Sequence, residues 1–269
     1  MKIQTLLLFL ALSSWLIHAH AEQIISAQYA KPSMRYGHFA VGQPHEYARI
    51  VAKTDQGREL TFDLPAHEVF EDMSPRLVRM QPNAPTELLS IVSAKSQGSR
   101  MVVLGIKDGR LHNVAQSPPI GQQNRWLNPV AVIDLDGDGI AEIAAVTTPH
   151  IGGTLRVYKR RDDQLIEYAA MYGFSNHVFG SAELDLSKPA LMNGEVSLLV
   201  PDLARTSLIA VTLRGTTLVK TMRCRLNAPV TQPSDLLACG SMGGNCSHLT
   251  QPHGRLGNKL FTDSKAQSP

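Results

Sequence analysis

The sequence has little cysteine, few aromatic residues and no strong excess of either charge. Its 269 residues include three cysteines, 6% aromatics, and 26 basic against 23 acidic side chains. Three cysteines are too few for a disulfide-dense miniprotein. A net charge of +3 makes no electrostatic case for nucleic acid, whose binders cluster Lys and Arg on one face. No CxxC occurs, which argues against zinc and thiol-redox chemistry. GxSxG, HExxH, Walker and dinucleotide fingerprints are all missing. Beyond residue 21 no run is apolar enough to cross a membrane, and helical periodicity is not evident. What is plentiful is apolar residues, 43% of the chain, which excludes a disordered polymer and suffices for a core.

The first apolar run lies at the start. Residues 1–21 read as a signal peptide: Lys2, then TLLLFLALSSWLI, then the small-x-small site Ala19-His20-Ala21. The run is short for a bilayer span, which takes about 20 apolar residues; an uncleaved anchor is the competing reading. No cysteine follows the cleavage point, so a lipoprotein anchor is not indicated. The mature chain would begin at Glu22, without a transmembrane segment, in the periplasm or outside the cell. That compartment permits disulfides. Cys239 and Cys246 flank GSMGGN and can close a small loop, Cys224 can pair with either, and the odd count leaves one thiol over. Incidental cysteines in a loose tail fit equally. From about Asn227 the composition shifts to Gly, Ser, Pro, Asn and Gln. Residues 227–269 are therefore expected to be loop-rich, partly disordered or completing the last repeat, and frayed after Lys259.

Between these ends the chain repeats. Ser99–Leu111 (SRMVVLGIKDGRL), Gly153–Leu165 (GTLRVYKRRDDQL) and Thr206–Leu218 (TSLIAVTLRGTTL) align without a gap, their starts 54 and 53 residues apart. Each holds an apolar strand, a short polar turn and a Leu opening the next strand, which is hairpin patterning. The preceding halves match too. Strands are expected at 76–80 and 87–92, at 130–134 and 142–147, and at 180–186 and 195–200. A weaker unit precedes them, with strands near 48–52 and 59–64. About four short strands at such a period is the arithmetic of a propeller blade. The expected fold is all-β, a single-domain β-propeller of four to five four-stranded blades over residues 22–226. A β-sandwich with evenly spaced strands is the alternative, as is a degenerate propeller whose tail replaces lost blades.

One segment carries metal chemistry. In Asp134-Leu135-Asp136-Gly137-Asp138-Gly139-Ile140-Ala141-Glu142, carboxylates stand at positions 1, 3, 5 and 9. Calcium takes six to eight oxygens, and alternate residues of a tight loop can supply them. Gly139 permits the sharp turn and Ile140 can offer its carbonyl. The spacing is that of half an EF-hand loop, but Ala145 stands at position 12 and the flanks are strands. Four carboxylates in nine residues repel one another without a cation. A solvated acidic turn is the plainer reading, and magnesium suits fewer protein ligands.

VIDLDGDGIAEIAAV followed by GGTLRVYK resembles the FG-GAP/VCBS-type repeat of bacterial exported proteins, related to the blades of integrin α-subunit propellers. The resemblance is specific in this one repeat and extends to the others by strand pattern alone. It implies a calcium site in the loop between the first two strands of a blade: Asp134, Asp136, Asp138, the Ile140 carbonyl and Glu142. The family more often has Asp at the last position. The neighbouring units have lost the site, with Met80–Pro85 in one and Ser187-Lys188-Pro189 in the other. One structural calcium ion is therefore expected.

The connectors entering the units place unusual residues at similar positions: Tyr36 and His38, Asp72, Arg125 and Trp126, Asn176 and His177, with His150 after a second strand. In a propeller these segments meet at the channel mouth, opposite the calcium loop, which makes them candidate ligand-binding residues. They also suit the plain task of plugging interfaces and satisfying loop backbone. Glu71 and Asp72 are adjacent, so on a strand they point apart, which weakens a paired-carboxylate hydrolase. The expected function is a non-catalytic interaction scaffold with a protein or glycan partner in the cell envelope. The rival is a hydrolase or lyase acting on glycans at the mouth.

Overall fold

The computed structural model describes residues 21–192 and 194–238. The expected signal peptide, Ala21 apart, lies outside them, as do Cys239, Cys246 and the tail beyond. The described chain is all-β, with one short 3₁₀ turn at Pro233–Leu237. No helix among the described residues is long and apolar enough to cross a membrane.

Sixteen strands follow one another as antiparallel meanders. The first group is β1 (Ile24–Ser33), β2 (Glu46–Thr54) and β3 (Glu59–Asp63). The second is β4 (Glu68–Phe70) and β5 (Arg76–Val78), laid end to end along β6 (Glu87–Ala94), then β7 (Gly98–Lys107) and β8 (Arg110–Gln116). The third is β9 (Leu127–Ile133), β10 (Glu142–Thr147), β11 (Thr154–Arg161) and β12 (Gln164–Tyr172). The fourth is β13 (Lys188–Met192), β14 (Glu195–Pro201), β15 (Ser207–Arg214) and β16 (Thr217–Arg225). By hydrogen bonding the first twelve strands form one mixed sheet and the last four a second. The large sheet is continuous only through two single-residue seams: Tyr47 with Phe70, and Gln116 with Gln164 in parallel. Among the described residues no barrel closes.

The three aligned segments share backbone detail. Each 13-residue segment folds as a hairpin with a two-residue turn, closed by Lys107–Arg110, Arg161–Gln164 and Arg214–Thr217. In the first, Asp108 and Gly109 both have positive φ, the geometry that matches strand twist. Each hairpin also carries a β-bulge at the same place, between Val103 and Leu104, Val157 and Tyr158, and Ala210 and Val211. These positions are spaced as the segments are. An extra residue in the fourth strand bends it and raises its twist.

Both faces of the middle sheets are buried, which is why their strands read as nearly unbroken apolar runs. Successive residues point to opposite faces. Leu88, Val92, Val102 and Leu104 pack on Ile24, Ile50, Ala52 and Leu60 of the first group. Their neighbours Leu89, Ile91, Met101 and Val103 meet Ile143, Ala145 and Leu165 of the third. Ala144, Val146, Leu155 and Val157 face Leu198, Val200, Ile209 and Val211 of the fourth. Leu199, Leu208 and Ala210 are then covered by Leu226, Val230 and Leu236. Each fully buried large side chain stabilises by roughly 1.5–3 kcal/mol.

Two strand expectations need correction. The first strand of the last unit is Lys188–Met192, not 180–186. In the earlier stretch side chains bond nearby backbone, with the Glu183 N–H donating to Ser181 Oγ and the Asp185 N–H to Glu183 Oε1. Such local bonds compete with a ladder. Pro189 is tolerated because β13 pairs on one side only. The long strand β1 was not foreseen, because its apolar pattern is broken by exposed residues.

Candidate functional site

The acidic loop joins β9 to β10 and folds on its own carboxylates. Asp134 accepts from the N–H groups of Gly137 at 2.7 Å and Gly139 at 2.9 Å. Asp138 accepts from the Ile140 N–H at 2.8 Å. Gly137 and Gly139 both sit at positive φ, 82° and 84°, where L side chains strain. The Ala141 N–H donates to Met80 O at 2.8 Å, tying the loop to the second group. One carboxylate oxygen each from Asp134, Asp136 and Asp138 lie within 4.8 Å of one another, close enough to share a metal ion. Glu142 stands apart from that trio and is buried. Its Oε2 accepts from the Leu135 N–H at 2.7 Å, while Oε1 has no hydrogen-bond partner among the described residues. Ile140 lies on the exposed side of the loop.

Lys159 of β11 reaches into this cluster. Its Nζ lies 2.6 Å from Asp136, 2.8 Å from Asp138 and 3.2 Å from Glu142 Oε1, the last without hydrogen-bond geometry. Sequence reasoning missed it, although the register carried the signal. Ile143 pairs with Tyr158, so Glu142 and Lys159 are the next cross-strand neighbours. Lys159 holds the Asp138 carboxyl below its usual range. Burial raises that of Glu142. At the equivalent repeat positions stand Gly105 and Thr212, in units whose loops lack the acidic run. Hard carboxylate oxygens and a buried, incompletely bonded Glu142 fit a calcium ion, provided that Lys159 swings aside.

The second cluster lies at the other end of β10, separated by a six-residue strand, or about 20 Å. Here the structure gathers four of the eight expected connector residues, His38, Arg125, Trp126 and His150, around a small half-open pocket lined also by Asn124, Thr148, Ile151 and Phe179. Trp126 is buried and its indole N–H donates to Glu71 O at 2.8 Å. His38 Nδ1 bonds the buried Glu71 carboxylate at 2.6 Å, which also accepts from Ser93 Oγ at 2.6 Å. His150 Nε2 bonds His177 Nδ1 at 2.8 Å, and His177 Nε2 bonds Ser181 O at 2.9 Å. A carbonyl only accepts, so a neutral His177 carries its proton on Nε2. His150 then donates from Nε2. Burial pushes His150 down to about 3 and His177 to about 4, which keeps both neutral.

The other expected residues take supporting positions. Tyr36 is buried, its hydroxyl accepts from the Asn124 N–H at 2.9 Å, and burial raises it to about 12. Asn176 is buried away from the pocket, its Nδ2 donating to Asn128 O at 3.2 Å and Ser187 Oγ at 3.1 Å while its backbone carbonyl accepts from Asn128 Nδ2 at 3.1 Å. Asp72 is fully buried, ion-paired with Arg76, and does not line the pocket. Phe179, which no motif announced, is largely exposed at the rim and meets His150 edge to ring and His38 at a tilt. Glu71, set aside in sequence because it neighbours Asp72, orients His38.

No protein-family model matches the chain, and no curated protein matches it. Cys224 is disulfide-bonded, while its two candidate partners lie outside the described residues.

Proposed function

We propose that this chain is an exported, calcium-binding β-propeller of the FG-GAP/VCBS type that serves as a non-catalytic interaction scaffold in the cell envelope, periplasmic or secreted. The observation that carries the reading is the acidic turn between the first two strands of one repeat, with three aspartates within metal-sharing distance. Further support comes from the bulged hairpins recurring at the repeat spacing and from four strand groups stacked face to face. First strands also neighbour first strands, β9 beside β13, and fourth strands neighbour fourth strands, β12 beside β8 and β16, as blades do around an axis. A disulfide at Cys224 accords with an oxidising compartment. The paired-carboxylate hydrolase loses ground because Asp72 is spent on Arg76.

In this reading the ion joins the side chains of Asp134, Asp136, Asp138 and Glu142 and pins the β9–β10 turn. Calorimetric titration of the wild type should show one calcium ion per chain, and Asp136→Ala should lose at least about tenfold in affinity. Equal binding by both proteins overturns the assignment.

A further inference from the structure

The pocket at the mouth is built to a degree that loop packing does not require. Three non-glycine residues in or beside it adopt left-handed backbone: Phe39 at φ 53°, Asn124 at 57° and Thr148 at 52°. For a β-branched residue such as Thr148 this conformation is strained, and strain of this kind persists where the surroundings impose it. The two imidazoles lining the pocket are each held from behind. His38 gives its Nδ1 side to the Glu71 carboxylate, which leaves Nε2 uncommitted. His150 donates from Nε2 to His177, which makes its Nδ1 a hydrogen-bond acceptor on a ring that lines the pocket. Between them Phe179 presents an aromatic face, and Ile151 stands exposed at the rim.

The chemistry of these walls selects the ligand. The burial that keeps His150 neutral, with Arg205 near by, also opposes a metal ion. No group of three metal-ligating side chains occurs here among the described residues. An anion meets no fixed positive charge inside, since Arg125 is only partly buried at the edge. What hydrogen-bonding imidazoles beside an exposed aromatic ring do favour is a neutral ring bearing hydroxyls, which both donate and accept. We propose that the pocket between His38, His150 and Phe179 binds the end of a neutral saccharide, whose hydroxyls hydrogen-bond the two imidazoles while its C–H face lies on Phe179. This deepens the scaffold reading by naming the ligand class at its mouth, and it does not draw on the calcium loop.

The sequence supplies a reporter, since its two tryptophans are Trp15 and Trp126, and Trp126 stacks on His150 with ring centroids 5.9 Å apart. In the full chain carrying Trp15→Phe, Trp126 fluorescence is titrated with neutral tetrasaccharides of glucose, galactose and N-acetylglucosamine, and with a uronic-acid tetrasaccharide. At least one neutral sugar should give a saturable change below about 10 mM. His150→Phe and His38→Phe should each weaken binding by about tenfold or more. Phe179→Ala removes an exposed side chain, is expected to leave the fold intact by circular dichroism, and should weaken binding by about fivefold. No saturable change with any sugar overturns the proposal, as does a response to the uronic acid alone or one unmoved by Phe179→Ala. Calcium binding measured on the same preparation separates the two claims, since it can stand while sugar binding fails.

Discussion

At the scale of single residues, Lys159 decides how the acidic loop behaves. One ammonium sits among three carboxylates, and only the repeat with the acidic run has a lysine at that position. Its presence neutralises the loop in part and competes with any incoming cation. Lys159→Met should therefore raise calcium affinity by about tenfold, roughly one ion pair's worth. The same change should lower the melting temperature in chelator, because the carboxylates then face one another unscreened. Calorimetry and thermal melts check both arms, and a variant that still binds no calcium would mean that the loop is held by lysine alone.

Elements are fixed here by close backbone approach as much as by apolar pattern. A side chain at Gly153 would collide with Phe174 O, and Gly153 O accepts from the N–H groups of Gly173 and Phe174. Neither partner can yield. A side chain at Gly105 would meet the Val114 methyl groups at 3.3 Å and Glu87 Oε1 at 3.5 Å, both ends of side chains. Gly153→Ala should cost about 2 kcal/mol or more, against under about 1 kcal/mol for Gly105→Ala, both read from urea melts. Such approaches explain what was legible in the sequence. The hairpins Ser99–Leu111, Gly153–Leu165 and Thr206–Leu218 were readable because turn residues and apolar strands are local signals. The aspartates of the turn were readable for the same reason. Strand β13 was not, since loop side chains bonded to nearby backbone decide where its ladder begins. Lys159 could be found only through the hairpin register that sets it opposite Glu142, while Phe179 reaches its site across loops and Glu71 acts through His38, so no spacing along the chain points to those two.

For the molecule as a whole, stability should follow the half-buried His150 and the buried His177. Their folded pKa values, about 3 for His150 and about 4 for His177, lie below the ordinary value of 6.5. Between pH 6.5 and 4 the unfolded chain therefore binds more protons than the folded one, so stability falls as pH falls through that window. Denaturant midpoints should decline from pH 7 to pH 4, and His150→Gln should flatten the decline. A slope identical in that variant would remove His150 as its source. Among the described residues the strand groups are bridged only at Tyr47–Phe70, Gln116–Gln164 and Phe174–Asp202, so face-to-face apolar packing holds one group to the next.

The ammonium of Lys159 has a consequence for how the protein would sense its surroundings. A counter-ion carried on the adjacent strand is always present at the same local concentration, whatever the medium contains. The turn is thus never bare. For the proposed site, the level of free calcium would choose which cation occupies the turn, so a falling calcium supply would exchange one occupant for another instead of releasing the strands.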